Sequence, residues 1–184
     1  MSKEIIDLAG KTDNKDFLLS QTLDYLKSLN PEERSAVVAA VYDRNSGKLY
    51  AATSVKFNSQ GKGFWHHAEY EALANARENV ADLTASVFVS SLSACVKDSS
   101  TRAHISCTNT LTDAGFPEEF VGRLDKGAAT LNQYQKMGLT VNITENPDLL
   151  LVCDRLYDFF NRFKKNGRTK EQIISDALSL LPKP

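Results

Sequence analysis

The strongest constraint on the fold is the run Ala36-Val37-Val38-Ala39-Ala40-Val41-Tyr42, in which no position is charged or strongly polar. Successive side chains of a strand point to opposite faces of its sheet, so a strand with one wet face alternates apolar with polar residues. This run has no wet face. Other elements must cover the strand on both sides, which requires a layered fold with the strand in the middle layer.

Candidates for the covering layers lie on either side of it in the chain. Residues 16–29 place Phe17, Leu18, Leu19, Leu23, Leu26 and Leu29 at helical spacing, and Asn30-Pro31 closes the helix. After the apolar strand, Asp43-Arg44-Asn45-Ser46-Gly47 reads as a turn and 48–55 as its hairpin partner. A helix over 67–80 is predicted from Ala68, Tyr70, Leu73, Ala74 and Ala76, followed by a strand over 86–92 and a polar loop over 96–106. The remaining pattern gives a helix over 107–114 stopped by Gly115, a strand over 119–124, a helix over 126–137 ended by Gly138, and a last strand over 139–144. An initial hairpin and then alternating strands and helices specify a three-layer α/β/α sandwich around a mixed five-stranded sheet.

A tail follows. Leu149, Leu150, Val152, Cys153, Leu156, Phe159, Phe160 and Phe163 form an amphipathic stripe over 148–165, Gly167 interrupts it, and Thr169 is the candidate N-cap of a further helix. These C-terminal helices could cover the sheet, form a dimer face or lid a site. With 184 residues the chain suits one domain, 1–184, made of a core over 35–144 and a helical extension over 148–184.

Composition narrows the class. The 42% apolar and 24% charged fractions are those of an ordinary globular protein rather than a disordered or membrane chain. The 22 basic residues balance 23 acids, which argues against a broad polyanion-binding surface. No stretch approaches the ~20 apolar residues of a membrane span, and the first residues lack the apolar core of a signal peptide. A cytoplasmic location without a membrane partner is the expectation. Cys95, Cys107 and Cys153 are an odd number without a secretory signal, so they are expected as buried fillers or metal ligands rather than as a disulfide framework.

Chemistry concentrates in two places: His67-Ala68-Glu69 at a helix start, and Cys95 with Cys107 after a strand. Zinc favours imidazole and thiolate in a tetrahedral shell, and a catalytic site leaves one position to water. The competing reading is a helix-start glutamate with two buried cysteines, since free cysteine is among the most buried residue types. His104 forms a His-x-x-Cys pair with Cys107 and is an alternative ligand, while Cys153 sits on the apolar stripe of the tail and is expected in the core. His66 points to a different face from His67 and is expected exposed or facing substrate. Phe64-Trp65 either walls a base pocket by stacking or packs in the core.

These residues resemble the cytidine deaminase-like superfamily, whose signature is H-x-E followed by P-C-x-x-C. His67-Ala68-Glu69-Tyr70-Glu71-Ala72-Leu73 is similar to the family's H-A-E-x-x-A-[LI] helix start. Ser91-Leu92-Ser93-Ala94-Cys95 stands where the family has Ser-x-x-Pro-Cys, with Ala94 in place of the proline. Eleven residues then separate Cys95 from Cys107, and the stretch from Cys107 to Phe116 resembles the family again, so 96–106 reads as an insertion. Interrupted cysteine pairs of this kind occur in the adenosine deaminases acting on RNA. The resemblance, over about 35–144, implies Zn2+ on His67, Cys95 and Cys107 and Glu69 as the proton shuttle. It also implies Asn58 as a substrate-orienting residue, beside Trp65 and His66, whose places before His67 make them the other expected substrate-binding residues. The implied reaction is hydrolytic deamination of a cytosine-type or related amino-heterocycle, as a nucleoside or nucleotide. Two alternatives are deamination of a base in RNA or DNA, with a positive groove at Lys56, Lys62 and 97–102, and a non-catalytic binding module. Family members often assemble as homo-oligomers.

Overall fold

In a computed structural model of the chain, the structure describes residues 3–59, 62–96, 106–125, 129–160 and 166–182, with the backbone alone for 55–59 and 62–66. The apolar run becomes strand β2 (Val38–Asp43), and all its residues are buried. Its side chains divide by parity. Val38, Ala40 and Tyr42 pack with Leu18, Leu19, Leu23 and Leu26 of helix α1 (Lys15–Ser28) on one face. Ala39 and Val41 pack with Ala68, Ala72, Leu73 and Ala76 of helix α2 (Ala68–Arg77) on the other. Two apolar cores, one on each face of the sheet, are the physical content of the three layers.

Strand β1 (Lys3–Asp7) precedes α1, and β3 (Lys48–Thr53) pairs antiparallel with both β1 and β2. On its other edge β2 pairs antiparallel with β6 (Ser86–Ser90), and parallel strands β7 (Glu118–Val121) and β8 (Thr140–Ile143) complete the order β1-β3-β2-β6-β7-β8. The expected mixed α/β sheet is present with six strands rather than five. The addition is β1, whose sequence Lys-Glu-Ile-Ile-Asp is charged at three of five positions and mostly exposed. An edge strand is held by backbone pairing to one neighbour, so it need not carry the alternation by which strands are recognised.

Further differences concern boundaries. The segment expected as one strand over 48–55 breaks at Ser54, and β4 (Val55–Ser59) turns back onto β5 (Lys62–His66) as a separate two-stranded sheet. Strand β7 starts at Glu118 and stops at Val121, three residues short of the expected end. Helix α3 (Cys107–Asp113) ends before Gly115, and α4 (Leu131–Lys136) ends before Gly138; both glycines have positive φ, which a Cβ disfavours. The expected start of α4 at 126–128 lies outside the described residues. In the tail, α5 (Pro147–Tyr157) ends in a turn over 158–160, and the rest of the expected helix, including Phe163, lies outside the described residues. Thr169 caps α6 (Lys170–Leu178), accepting the Gln172 N–H at 3.2 Å.

The tail covers the sheet. Leu149, Val152, Cys153 and Leu156 of α5, with Ile174, Ala177 and Leu178 of α6, join the α1 core. Cys153 lies against Gly122, where the chain leaves β7: a Cβ on residue 122 would overlap the Cys153 side chain and come within 3.1 Å of the Ser91 carbonyl oxygen. Gly122→Ala is expected to destabilise the protein by about 1–3 kcal/mol, the usual cost of overpacking a well-filled core. An unchanged midpoint in urea unfolding would show that α5 yields freely here. No helix among the described residues is long and apolar enough to cross a membrane.

Candidate functional site

His67 is the N-cap of α2, with extended backbone at φ −71° and ψ 148°. An N-cap stands outside the helical ladder, which lets its ring turn toward the same region as Glu69 in the first turn. Cys95 follows β6 by a short turn, and Cys107 is the first residue of α3. The Cys95 carbonyl holds the two stretches together: it accepts from Ser106 Oγ at 3.0 Å, Thr108 N at 3.1 Å and Thr108 Oγ1 at 3.0 Å. Ser106 in turn caps α3 by accepting the Asn109 N–H. These bonds return Cys107 to Cys95 across the intervening residues.

His67 Nδ1 lies 3.2 Å from Cys107 Sγ and 3.5 Å from Cys95 Sγ. All three donor atoms fall within 4.8 Å of one another, the one group of this kind among the described residues. Tetrahedral zinc with usual bond lengths would hold nitrogen and sulfur roughly 3.6 Å apart, so the donor set needs only a small adjustment to receive the ion. Without a metal the donors share protons. A hydrogen bond from Cys107, and then the His67 contact, hold the Cys95 thiol below the usual thiol range, and the Cys95 hydrogen bond raises His67 to about 8. Cys107 is pushed up, first by its hydrogen bond to Cys95 and then by burial. A metal bound here as thiolate–thiolate–imidazole would displace those protons.

Glu69 is 4% exposed, and burial raises its carboxyl to about 7. Its Oε2 is buried without a hydrogen-bond partner. Such an acceptor is rare in a folded interior, and it marks a place where a proton-bearing group belongs. His67, Glu69 and Cys95 open onto a cavity of about 460 Å3, within the range of small-molecule sites.

The cavity walls contain residues that sequence reasoning did not single out. Val37 contributes from just before β2 and Leu92 from just after β6, and Phe159, Phe160 and Lys170 come from the C-terminal extension. Lys170 Nζ sits 4.6 Å over the Phe159 ring. Asp125 also faces the cavity, and its Oδ1 accepts from Tyr157 Oη at 3.1 Å. The end of the tail therefore borders the site as well as covering the sheet. No local signal placed them there, because Phe159 and Phe160 read as the end of the tail's apolar stripe.

Other expected site residues are placed only in part. Asn58 lies in β4, and Trp65 and His66 in β5, but their side chains, like those of Lys56, Lys62 and Phe64, lie outside the described residues. His104 and the basic stretch 97–102 are also outside them. Cys153 is buried in the α1 core, away from the cluster, and none of the three cysteines is paired.

No protein-family model matches the sequence, and no curated protein does. Solved structures do match in shape. A dCMP deaminase from the cyanophage S-TIM5 superposes with a TM-score of 0.50 at 18% identity, covering 73% of this chain and 99% of its own. A diaminohydroxyphosphoribosylaminopyrimidine deaminase/5-amino-6-(5-phosphoribosylamino)uracil reductase from Thermotoga maritima gives 0.54 at 16% identity, covering 78% of this chain and 40% of its own. NE0047, in complex with 2,6-diaminopurine, gives 0.54 at 16% identity, covering 96% and 85%. At these identities the shared property is the architecture: the chain has the cytidine deaminase-like fold.

Proposed function

We propose that this chain, built on the cytidine deaminase-like fold, holds one zinc ion on His67 Nδ1, Cys95 Sγ and Cys107 Sγ and hydrolyses an amino group from a nucleobase-type ring. The substrate class is a cytosine-type or related amino-heterocycle, carried as a small nucleoside or nucleotide. The observation that carries the reading is the spacing of the three donor atoms, 3.2 and 3.5 Å from nitrogen to sulfur, at the edge of a cavity that also contains Glu69. Two buried filler cysteines would not need an imidazole nitrogen between them.

When bound, zinc supplies a Lewis acid that lowers the pKa of water from 15.7 to about 7. Glu69 supplies the proton traffic: its carboxylate takes a proton from the attacking water, delivers it to the ring nitrogen, and assists the amine as it leaves. Water enters, the ring gains a carbonyl, and ammonia departs. Phe159, Phe160, Val37 and Leu92 give the heterocycle flat apolar walls, while Lys170 and Asp125 offer polar contacts at fixed positions. Asn58 is assigned to substrate on the sequence resemblance, and Trp65 and His66 on their places immediately before His67.

Metal analysis of the purified protein, combined with ammonia release from a panel of free bases, nucleosides and 5′-nucleotides, tests the reading. One zinc per chain and turnover of at least one panel member are expected. Protein that purifies without zinc and does not take it up would leave only an architecture.

A further inference from the structure

The buried carboxyl of Glu119 is used by nothing in the mechanism above. It sits on β7 at 0% exposure, and it neither joins the donor cluster nor lines the cavity. Burying a carboxyl is costly unless its oxygens are satisfied. Both are. Oε2 accepts the Ala94 N–H at 3.1 Å, and Oε1 lies 2.9 Å from Ser90 Oγ. That serine hydroxyl is also 2.5 Å from the Leu92 carbonyl oxygen. A hydroxyl has one proton to donate, and the shorter contact takes it. The Oε1 contact is then satisfied by a proton on Glu119 itself, which burial supports by raising this carboxyl to about 8.

Ala94 is the residue at which this chain departs from the deaminase motif, where a proline precedes the first cysteine. Proline would fix φ and carry no N–H. Alanine does neither, so the turn gains a torsional freedom and a buried donor immediately before Cys95, and Ala94 is fully buried. The structure answers both. Glu119 takes the N–H, and Tyr134 Oη donates to the Ala94 carbonyl at 2.7 Å.

We propose that Glu119 is a positioning residue of the metal centre, a carboxylic acid whose hydrogen bond to the Ala94 N–H fixes the turn that aims Cys95 and so replaces the constraint of the missing proline. The inference rests on the zinc assignment above. It makes a compensation testable: a proline at 94 removes the donor that Glu119 serves, so the acid should be dispensable when residue 94 is proline.

Four proteins are compared: wild type, Glu119→Gln, Glu119→Leu, and Glu119→Leu combined with Ala94→Pro. Zinc affinity is measured by competition with a chromophoric chelator, and donor geometry by the visible spectrum of the cobalt-substituted protein. Glutamine can donate to Ser90 Oγ and accept from Ala94, so Glu119→Gln should keep wild-type affinity and spectrum. Glu119→Leu should weaken zinc binding by about 10–100-fold, the usual effect of losing a group that orients a ligand, and alter the cobalt spectrum. The double variant should recover most of the loss. If Glu119→Leu binds zinc like wild type, or the double variant neither binds better nor folds better than Glu119→Leu, the proposal is overturned. A Glu119→Gln protein as impaired as Glu119→Leu overturns it too, because the charge rather than the hydrogen-bond pattern would then matter. Wild-type protein that binds neither metal rejects the zinc assignment itself, a result distinct from any of these.

Discussion

Glu69→Gln is expected to lower the turnover of whichever substrate the panel identifies by about 100- to 10,000-fold, the usual contribution of a positioned acid–base group, while zinc content stays at one ion per chain. Glutamine keeps the shape and the oxygen that faces the cavity but can neither take nor return a proton. A single group that acts as base toward water and then as acid toward the amine works best with a pKa near the working pH, and burial already pushes the Glu69 carboxyl up in the metal-free protein. Metal analysis and steady-state kinetics on the same preparation check the prediction. A variant that keeps turnover would place the proton shuttle elsewhere, and one that loses zinc together with activity would make Glu69 a support of the metal centre.

Removing the metal is the second large effect. A ligand held only by the folded state, at a free concentration about 100 times its dissociation constant, contributes about 2.7 kcal/mol, and a chain of this size shifts by roughly 2–4 °C per kcal/mol. Dialysis against a chelator should therefore lower the melting temperature by roughly 5–11 °C, and added zinc should restore it. Cys107→Ala should melt like the stripped protein and ignore added zinc. Cys153→Ala provides the contrast: its sulfur is buried among Leu149, Val152 and Leu156, so the substitution should cost stability yet leave the zinc response intact. A melting temperature indifferent to both chelator and zinc would return Cys95 and Cys107 to the role of core fillers.

Much of the layered architecture was legible because each element carries its burial pattern locally. The unbroken run at β2 required cover on two faces, and α1 and α2 supply it. Thr169 and Gly115 marked real helix ends, since cap and positive-φ chemistry involve only neighbouring residues. Strand β1 was not legible, because it is held mainly by backbone pairing with β3 and buries only Ile6 in part against the core. The pair Glu118-Glu119 held an unread signal: side chains alternate along a strand, so when a strand packs a core on one face, one of two adjacent glutamates must point into it, and here that is Glu119.

The site divides in the same way. His67, Glu69, Cys95 and Cys107 could be chosen from residue type and spacing, because zinc chemistry demands those groups and the helix start sets the first two in register. That Cys107 returns to Cys95 is a tertiary fact, decided by three hydrogen bonds to one carbonyl oxygen. So is the presence of Phe159, Phe160 and Lys170 at the cavity, which depends on how α5 and α6 pack over the sheet. Local sequence determined which faces of each element are apolar and which side chains can do chemistry. Only the packing of elements distant in the chain determined which of those side chains meet, because contact between them depends on long-range burial that no short window of sequence contains.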